Sequence, residues 1–221
     1  MSVLTPEQIT GALNHPKLDL SSYHWDDKVL QSFSDYCSLL VKWNSRINLT
    51  SEKQALPILR KHVFDSLHYL RWISPSHRVL DIGSGGGFPG IPVKILEPQI
   101  ELSLLDSQRK RCNFLRDAVR NLELNNVQVL EGRAEDYFNR PACSEKYDRV
   151  VFRGFGSLGL CIQIGLPFLT VGGCIILQKD PQEIPQASSG LPPGIRILQT
   201  EEVQGFDGHV SIMVVLEKCS T

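Results

Sequence analysis

Val79-Leu80-Asp81-Ile82-Gly83-Ser84-Gly85-Gly86-Gly87-Phe88-Pro89-Gly90 is the stretch that decides how this chain folds. An apolar run after His77-Arg78 meets an acid, then five glycines within eight positions, then an apolar segment opening on Ile91-Pro92. The pattern predicts a strand, a tight turn and the start of a helix. Glycine suits such a turn because the backbone must take positive φ and let a ligand approach where a Cβ would collide. Pro92 fits the first helical turn, where its missing N–H is no loss. The N–H groups and partial positive charge at that helix start can hold hydroxyls, a carboxylate or a phosphate.

Two spacings compete for the turn. The dinucleotide fingerprint G-x-G-x-x-G fits Gly85, Gly87 and Gly90, and expects an acid about twenty residues on, where Asp106 stands. The alternative, D-x-G-x-G-x-G on Asp81, Gly83, Gly85 and Gly87, resembles motif I of S-adenosylmethionine-dependent methyltransferases. Asp81 favours it: a ligand carrying ammonium and sulfonium gains from a carboxylate in the floor of its site, whereas a pyrophosphate is repelled. A turn that only reverses the chain is the plainest reading, and a motif match alone does not remove it.

At 221 residues the chain is long enough for one domain, or one domain with a small extension. Apolar content of 42% and charged content of 21% are those of an ordinary globular protein, which excludes a disordered tail-like chain. The formal net charge of −1 carries no global nucleic-acid signal, so any RNA contact must be a local basic patch. Cys37, Cys112, Cys143, Cys161, Cys174 and Cys219 form neither C-x-x-C nor a Cys/His cluster at zinc spacing. They read as reduced thiols of a cytoplasmic protein with no metal. The first residues show no basic segment followed by an apolar core, and no apolar run reaches membrane-spanning length. A monomer without membrane association is expected.

Residues 1–25 are interrupted by proline and receive no function. From Asp26 to about Arg46, Val29, Leu30, Phe33, Cys37, Leu40 and Val41 recur at helical spacing. A second helix is expected over Gln54 to Ile73, with Arg60, Lys61, His62, Asp65 and Ser66 opposite its apolar face. On sequence physics those polar residues read as a solvated face, with a local hydrogen bond between His62 and Asp65. After Ser74-Pro75-Ser76 strands alternate with helices, the mark of an α/β domain with a parallel sheet. Strands are expected at 78–82, 100–105, 127–130, 147–152 and 173–178, with helices at 108–124 and 158–169. A proline-rich loop spans Pro181 to Pro193, and strands at 195–203 and 210–216 form an antiparallel edge pair. The chain divides into an N-terminal helical extension, 1–75, and a binding domain, 76–221.

In an open parallel sheet, ligands bind outside the carboxyl ends of the strands, near the point where strand order reverses. The five central strands end at Asp81-Gly83, Asp106, Arg133 to Glu135, Arg153 and Lys179, so all five ends share one rim. Asp106 reads as the acceptor of two ribose hydroxyls, with a helix cap as the alternative. Ala134-Glu135 would lie beside an adenine, or Glu135 merely faces solvent.

These residues carry a family likeness. Asn48-Leu49-Thr50, His62-x-x-Asp65-Ser66, the Asp81 to Pro92 run with its G-F-P-G-I-P extension, Leu105-Asp106-Ser107 with Lys110-Arg111 and Phe114-Leu115, and Arg133-Ala134-Glu135 together resemble the RsmG (GidB) family. That family contains bacterial 16S ribosomal RNA guanine-N(7) methyltransferases. The resemblance implies a Rossmann-like methyltransferase fold with a seven-stranded, mostly parallel sheet. It further implies S-adenosyl-L-methionine bound at Gly83, Phe88, Ala134, Glu135 and Arg153, and methyl transfer to a guanine of 16S RNA in the 30S subunit. Asp81, Ser84, Gly85, Gly87 and Asp106 complete the expected cofactor site. The family usually has S-R-A-F where this chain has Phe152-Arg153-Gly154-Phe155, and often Lys-Gly where it has Lys179-Asp180. Arg153 and Lys179 are therefore kept as residues that orient the guanine, while the substrate side is expected to differ.

Ring nitrogen 7 of guanine is an unprotonated acceptor, so no general base is needed and catalysis rests on alignment. Arg60, Lys61, Arg109, Lys110 and Arg111 are candidate RNA contacts, or simply solubilising charges. Methylation of a small molecule or protein, a nicotinamide-dependent oxidoreductase and a non-catalytic RNA-binding module are the competing functions.

Overall fold

A computed structural model describes residues 3–138, 140, 143–183 and 191–220. Seven strands, β1 (Arg78–Ile82), β2 (Glu101–Asp106), β3 (Val127–Glu131), β4 (Tyr147–Arg153), β5 (Leu169–Lys179), β6 (Ile195–Gln204) and β7 (Val210–Lys218), form one sheet in the order β3-β2-β1-β4-β5-β7-β6. Neighbours from β3 through β5 are parallel, whereas β7 runs antiparallel to β5 and to β6. The expected mostly parallel sheet with an antiparallel edge pair is therefore present. Strand order reverses between β1 and β4, where a ligand crevice belongs.

Successive side chains of a strand point to opposite faces, and both faces are covered here. Val79, Leu102, Leu104, Val151, Ile176 and Met213 meet one core, while Leu80, Ile82, Leu105, Val150, Ile175 and Val214 meet the other. The first core also takes Phe33, Tyr36, Cys37 and Leu40 of α2 (Asp27–Asn44), together with Ile58, Phe64 and Tyr69 from the segment that follows. The N-terminal helices thus cover the same sheet face as α5 (Gly90–Leu96) and α6 (Arg109–Asn121). The opposite face packs against α7 (Leu158–Gly165).

Several expectations shift. Residues 1–25, given no element, contain α1 (Pro6–Leu13), which Thr5 and Gln8 start with reciprocal side-chain-to-backbone bonds. The helix expected over 54–73 is broken into α3 (Ala55–Ile58), a π-helical turn (Leu59–Val63), α4 (Phe64–Leu67) and a 3-10 turn (His68–Trp72). The helix expected to reach residue 169 stops at Gly165, because Pro167 cannot donate to the preceding turn, and a 3-10 turn (Leu166–Phe168) leads straight into a longer β5. Of the proline-rich loop, Pro181–Glu183 is a 3-10 turn and residues 184–190 lie outside the described residues.

Candidate active site

The turn after β1 is built largely by backbone. Gly83 and Ser84 donate to the Leu105 carbonyl at the end of β2, at 2.8 and 3.1 Å, and Gly87 donates to Ser84 at 2.6 Å. Ser84 Oγ closes on the Asp81 carbonyl at 2.9 Å, and the buried Tyr36 hydroxyl of α2 donates to the Gly86 carbonyl at 2.5 Å. Two glycines are required for different reasons. Gly85 takes φ +54°, and a Cβ there would meet only the Gly83 carbonyl, at 3.8 Å, leaving a cradle that a side chain would begin to fill. Gly90 is crowded instead: a Cβ there would lie 2.7 Å from Asp81 Oδ2 and 2.8 Å from Leu104.

Asp81 belongs to the floor of this turn. It is fully buried beneath the turn, with Oδ2 accepting from Gly90 N at 2.9 Å and Oδ1 left without a partner. The first N–H of α5 is consequently spent on Asp81, so that helix start does not offer it to a ligand as the sequence suggested. Burial pushes the Asp81 carboxyl up to about 7, the nearby Asp106 charge adds to the rise, and the Gly90 N–H and Arg153 oppose it.

Asp106, at the end of β2, holds a backbone N–H on each carboxylate oxygen. Its Oδ2 accepts from Gly85 N at 2.9 Å, tying the turn to β2, and its Oδ1 accepts from Gln108 N at 2.8 Å ahead of α6. Arg111 stands 3.7 Å from Oδ2. Ala134 is buried and Glu135 exposed in a 3-10 turn (Ala134–Tyr137) that continues the same rim beyond β3. Both, with Asp106, lie beyond the cavity described next.

A cavity of about 480 Å³ opens at the carboxyl ends of β1, β4 and β5. Gly83 to Gly86 and Phe88 form one wall, Lys61, His62 and Asp65 a second, and Arg153, Gly154 and Lys179 a third. Arg111 also lines it, as do His209 and Ser211 from the β6–β7 hairpin, a contribution no motif announced. The size falls within the roughly 300–1,000 Å³ common for small-molecule sites.

Arg153 is the hub of this cavity. Its Nη1 donates to the His62 carbonyl at 3.1 Å, and its Nη2 reaches His62 Nδ1 at 3.0 Å and Asp65 Oδ2 at 3.1 Å. The guanidinium carbon lies 5.4 Å from the Phe88 ring centroid, and the His62 ring stacks on Phe88 at 5.0 Å with a 32° tilt. His62 and Asp65 therefore do not bond each other as the helical spacing suggested; the π-helical turn and β4 bring both to the same arginine. Burial holds His62 down to about 4, with Arg153 and Lys61 adding to the depression. Burial raises the Asp65 carboxyl, and Arg153 counters part of that rise.

Lys179 lines the cavity, yet its ammonium is engaged with the carbonyls of Phe155 and Gly156 and with Glu183. It straps the loop after β4. Of the basic candidates, Arg60 lies over Phe206, Lys61 pairs with Glu52 at 3.0 Å, and Arg109 and Lys110 are exposed.

An antiparallel β7 between β5 and β6 departs from the 3-2-1-4-5-6 order of dinucleotide-binding sheets, which weakens the nicotinamide reading. With the glycine turn and the acid ending β2, the fold and site define a Rossmann-like, S-adenosylmethionine-dependent methyltransferase. Solved structures agree on the fold. A putative O-methyltransferase from Klebsiella pneumoniae has a TM-score of 0.57 at 16% identity, covering 84% of this chain and 90% of that one. The M. jannaschii TYW2 complex with AdoMet has a TM-score of 0.52 at 15% identity, covering 71% of this chain and 76% of that one. The family GidB, described as rRNA small subunit methyltransferase G, matches residues 29–189. A curated relative from Clostridium novyi, the ribosomal RNA small subunit methyltransferase G, is 38% identical over 200 residues, 88% of this chain and 82% of its own. The chain belongs to this family.

The site fits the methyl donor on two observations: an open cradle over Gly85, and a buried Asp81 carboxylate whose second oxygen is unpartnered and whose charge a cationic ligand would stabilise. Among the described residues no group of His, Cys, Asp or Glu could hold a metal ion, and no helix is long and apolar enough to cross a membrane.

Proposed function

We propose that this protein transfers the methyl group of S-adenosylmethionine to N7 of a guanine in 16S ribosomal RNA. The observation that carries this reading is one cavity in which the glycine turn and Phe88 face Arg153 and His62, in a chain of the small-subunit methyltransferase family. When bound, S-adenosylmethionine supplies an activated methyl group on a sulfonium. Gly83, Ser84, Gly85, Gly87 and Phe88 would hold its amino-acid portion above Asp81, Asp106 its ribose, and Ala134 and Glu135 its adenine. Arg153 faces both ligands. Residues 76–221 form the binding unit and residues 1–75 the helical extension that supports it.

Guanine N7 carries no proton, so no residue has to remove one before transfer. The state of His62 agrees: both of its ring nitrogens are engaged, Nδ1 with Arg153 and Nε2 with Thr50 Oγ1 at 2.5 Å. Catalysis is then alignment of two bound ligands, an effect that can supply about 7–11 kcal/mol. Lys61 and Arg111 line the cavity, with Arg60, Arg109 and Lys110 exposed nearby in sequence, to meet the RNA backbone. The partner is 16S RNA, free or within the 30S subunit, and the protein works as a cytoplasmic monomer.

The test is incubation with methyl-labelled S-adenosylmethionine and either naked 16S RNA or 30S subunits, followed by borohydride and aniline cleavage, which cuts at N7-methylguanine. One labelled guanine is expected. Label on another base, or transfer only to protein or small molecules, overturns the assignment.

A further inference from the structure

Arg153 spends its hydrogen-bonding capacity unevenly. A guanidinium has five N–H donors and cannot accept. Three are placed, on the His62 carbonyl, His62 Nδ1 and Asp65 Oδ2, which leaves Nε–H and one hydrogen of Nη1 for a ligand. Because arginine only donates, His62 Nδ1 must carry its lone pair. The ring proton therefore sits on Nε2, and it is donated to Thr50 Oγ1 at 2.5 Å. Thr50 is itself fixed by the loop around Asn44: the buried Asn44 side chain accepts from Thr50 N at 3.1 Å and donates to Thr50 O at 2.9 Å. Phe88, from the glycine turn, backs both the imidazole and the guanidinium.

We propose that His62 and Asp65 are positioning residues: a single neutral tautomer of His62, set by Thr50, and the Asp65 carboxylate fix the rotamer of Arg153 so that an unspent N–H of its guanidinium is presented to the target guanine. This deepens the reading above and rests on it. The geometry explains why the site uses arginine. A lysine ammonium has three donors, so bonding the His62 carbonyl, His62 Nδ1 and Asp65 would leave it none for a substrate. It also gives the π-helical turn a purpose, since His62 contributes its carbonyl as well as its ring to the same guanidinium. Guanine O6 is an acceptor adjacent to N7, whereas adenine carries a donor at that place, so fixed N–H groups favour guanine.

The experiment compares His62→Phe, His62→Asn, Asp65→Asn and Arg153→Lys in single-turnover methylation of 30S subunits, with S-adenosylmethionine affinity by calorimetry and melting temperature as a folding check. His62→Phe keeps a ring against Phe88 but removes the acceptor. It should lower the transfer rate about 10- to 100-fold, the loss of one charge-assisted bond, with cofactor affinity within about twofold. His62→Asn restores an acceptor near the Nδ1 position and should recover most of the rate. In the Arg153→Lys background, His62→Phe should cost nothing further. Full activity in His62→Phe, equal losses of rate and cofactor affinity, or additive losses in the double variant overturn the proposal. Nitrogen-15 NMR of the wild-type protein supplies a readout independent of methyl transfer: the Nε2–H tautomer of His62 is expected, and the Nδ1–H tautomer refutes the clamp. Wild-type protein that shows this tautomer but methylates no RNA refutes the function, and with it the presentation of Arg153 to a guanine.

Discussion

The glycine turn and the Arg153 cluster that faces it across the cavity are made in opposite ways. The glycine turn is contiguous in sequence and held by backbone bonds within itself and to the end of β2, whereas the Arg153 cluster gathers Thr50, His62, Asp65, Phe88 and Arg153 from well-separated parts of the chain. The first wall is a property of backbone geometry and the second of side-chain chemistry. Substitutions should accordingly damage them differently: the turn through missing space, the cluster through unpaired charge.

The largest effect is expected where both kinds of damage coincide. Arg153→Ala strands the Asp65 carboxylate, only 17% exposed, and should cost about 3 kcal/mol of stability by denaturant titration, with transfer activity lost. An unchanged stability would mean that Asp65 is solvated and the cluster loose. Gly90→Ala tests the other wall, where a Cβ would press on Asp81 and Leu104. Overpacking of this kind costs about 1–3 kcal/mol, and cofactor affinity should fall with it.

Asp81 sharpens the comparison through pH. Its carboxyl is raised by burial from 3.8 to about 7, so the folded state holds the proton more tightly than the unfolded state does. The stability this contributes is complete below about pH 4 and is lost as pH rises through 7. Asp81→Asn should remove that slope in denaturant titrations across this range. Cofactor binding near neutrality should release a proton from Asp81 in the wild type, seen as a buffer-dependent binding enthalpy, and release none in the variant.

A smaller difference separates two acids of the rim. Asp106 holds two backbone N–H groups and Glu135 is exposed, so Asp106→Ala should weaken S-adenosylmethionine binding well beyond the about 0.5 kcal/mol typical of a surface change such as Glu135→Ala. Equal affinities by calorimetry would remove Asp106 from the ribose site. The smallest expected signal is the absence of one: at saturating cofactor the transfer rate should stay level from neutrality down towards 4, where His62 protonates and releases Arg153. A fall centred near 6.5 would reveal an unengaged imidazole acting as a base.

The same contrast explains what could be read in advance. Strand positions and the shared rim were visible because short apolar runs that end in charged residues, and glycine spacing, are local signals, and the observed strand order bears out the sheet. The partners of individual side chains were not. That Asp81 spends Oδ2 on Gly90 N follows from the close approach of β1 to α5, which the spacing does not announce. Lys179 was expected to orient the base, but the loop after β4 folds back and offers it two carbonyls. His62 and Asp65 looked solvated because a π-helical turn differs from an α-helix by one residue per turn, a difference apolar periodicity over so short a segment cannot register. In each case the deciding contact crosses between elements that sequence patterns place separately.

Two buried tyrosines of the N-terminal helices reach into the catalytic edge: Tyr36 bonds the Gly86 carbonyl and Tyr69 bonds the Phe152 carbonyl at 2.6 Å. One hydroxyl satisfies a main-chain oxygen of the glycine turn and the other that of the residue before Arg153, so the extension acts as a jig that sets the spacing of the two. Chimaeras that graft foreign helices onto this sheet would have to reproduce both phenols, or accept a site whose two jaws drift apart.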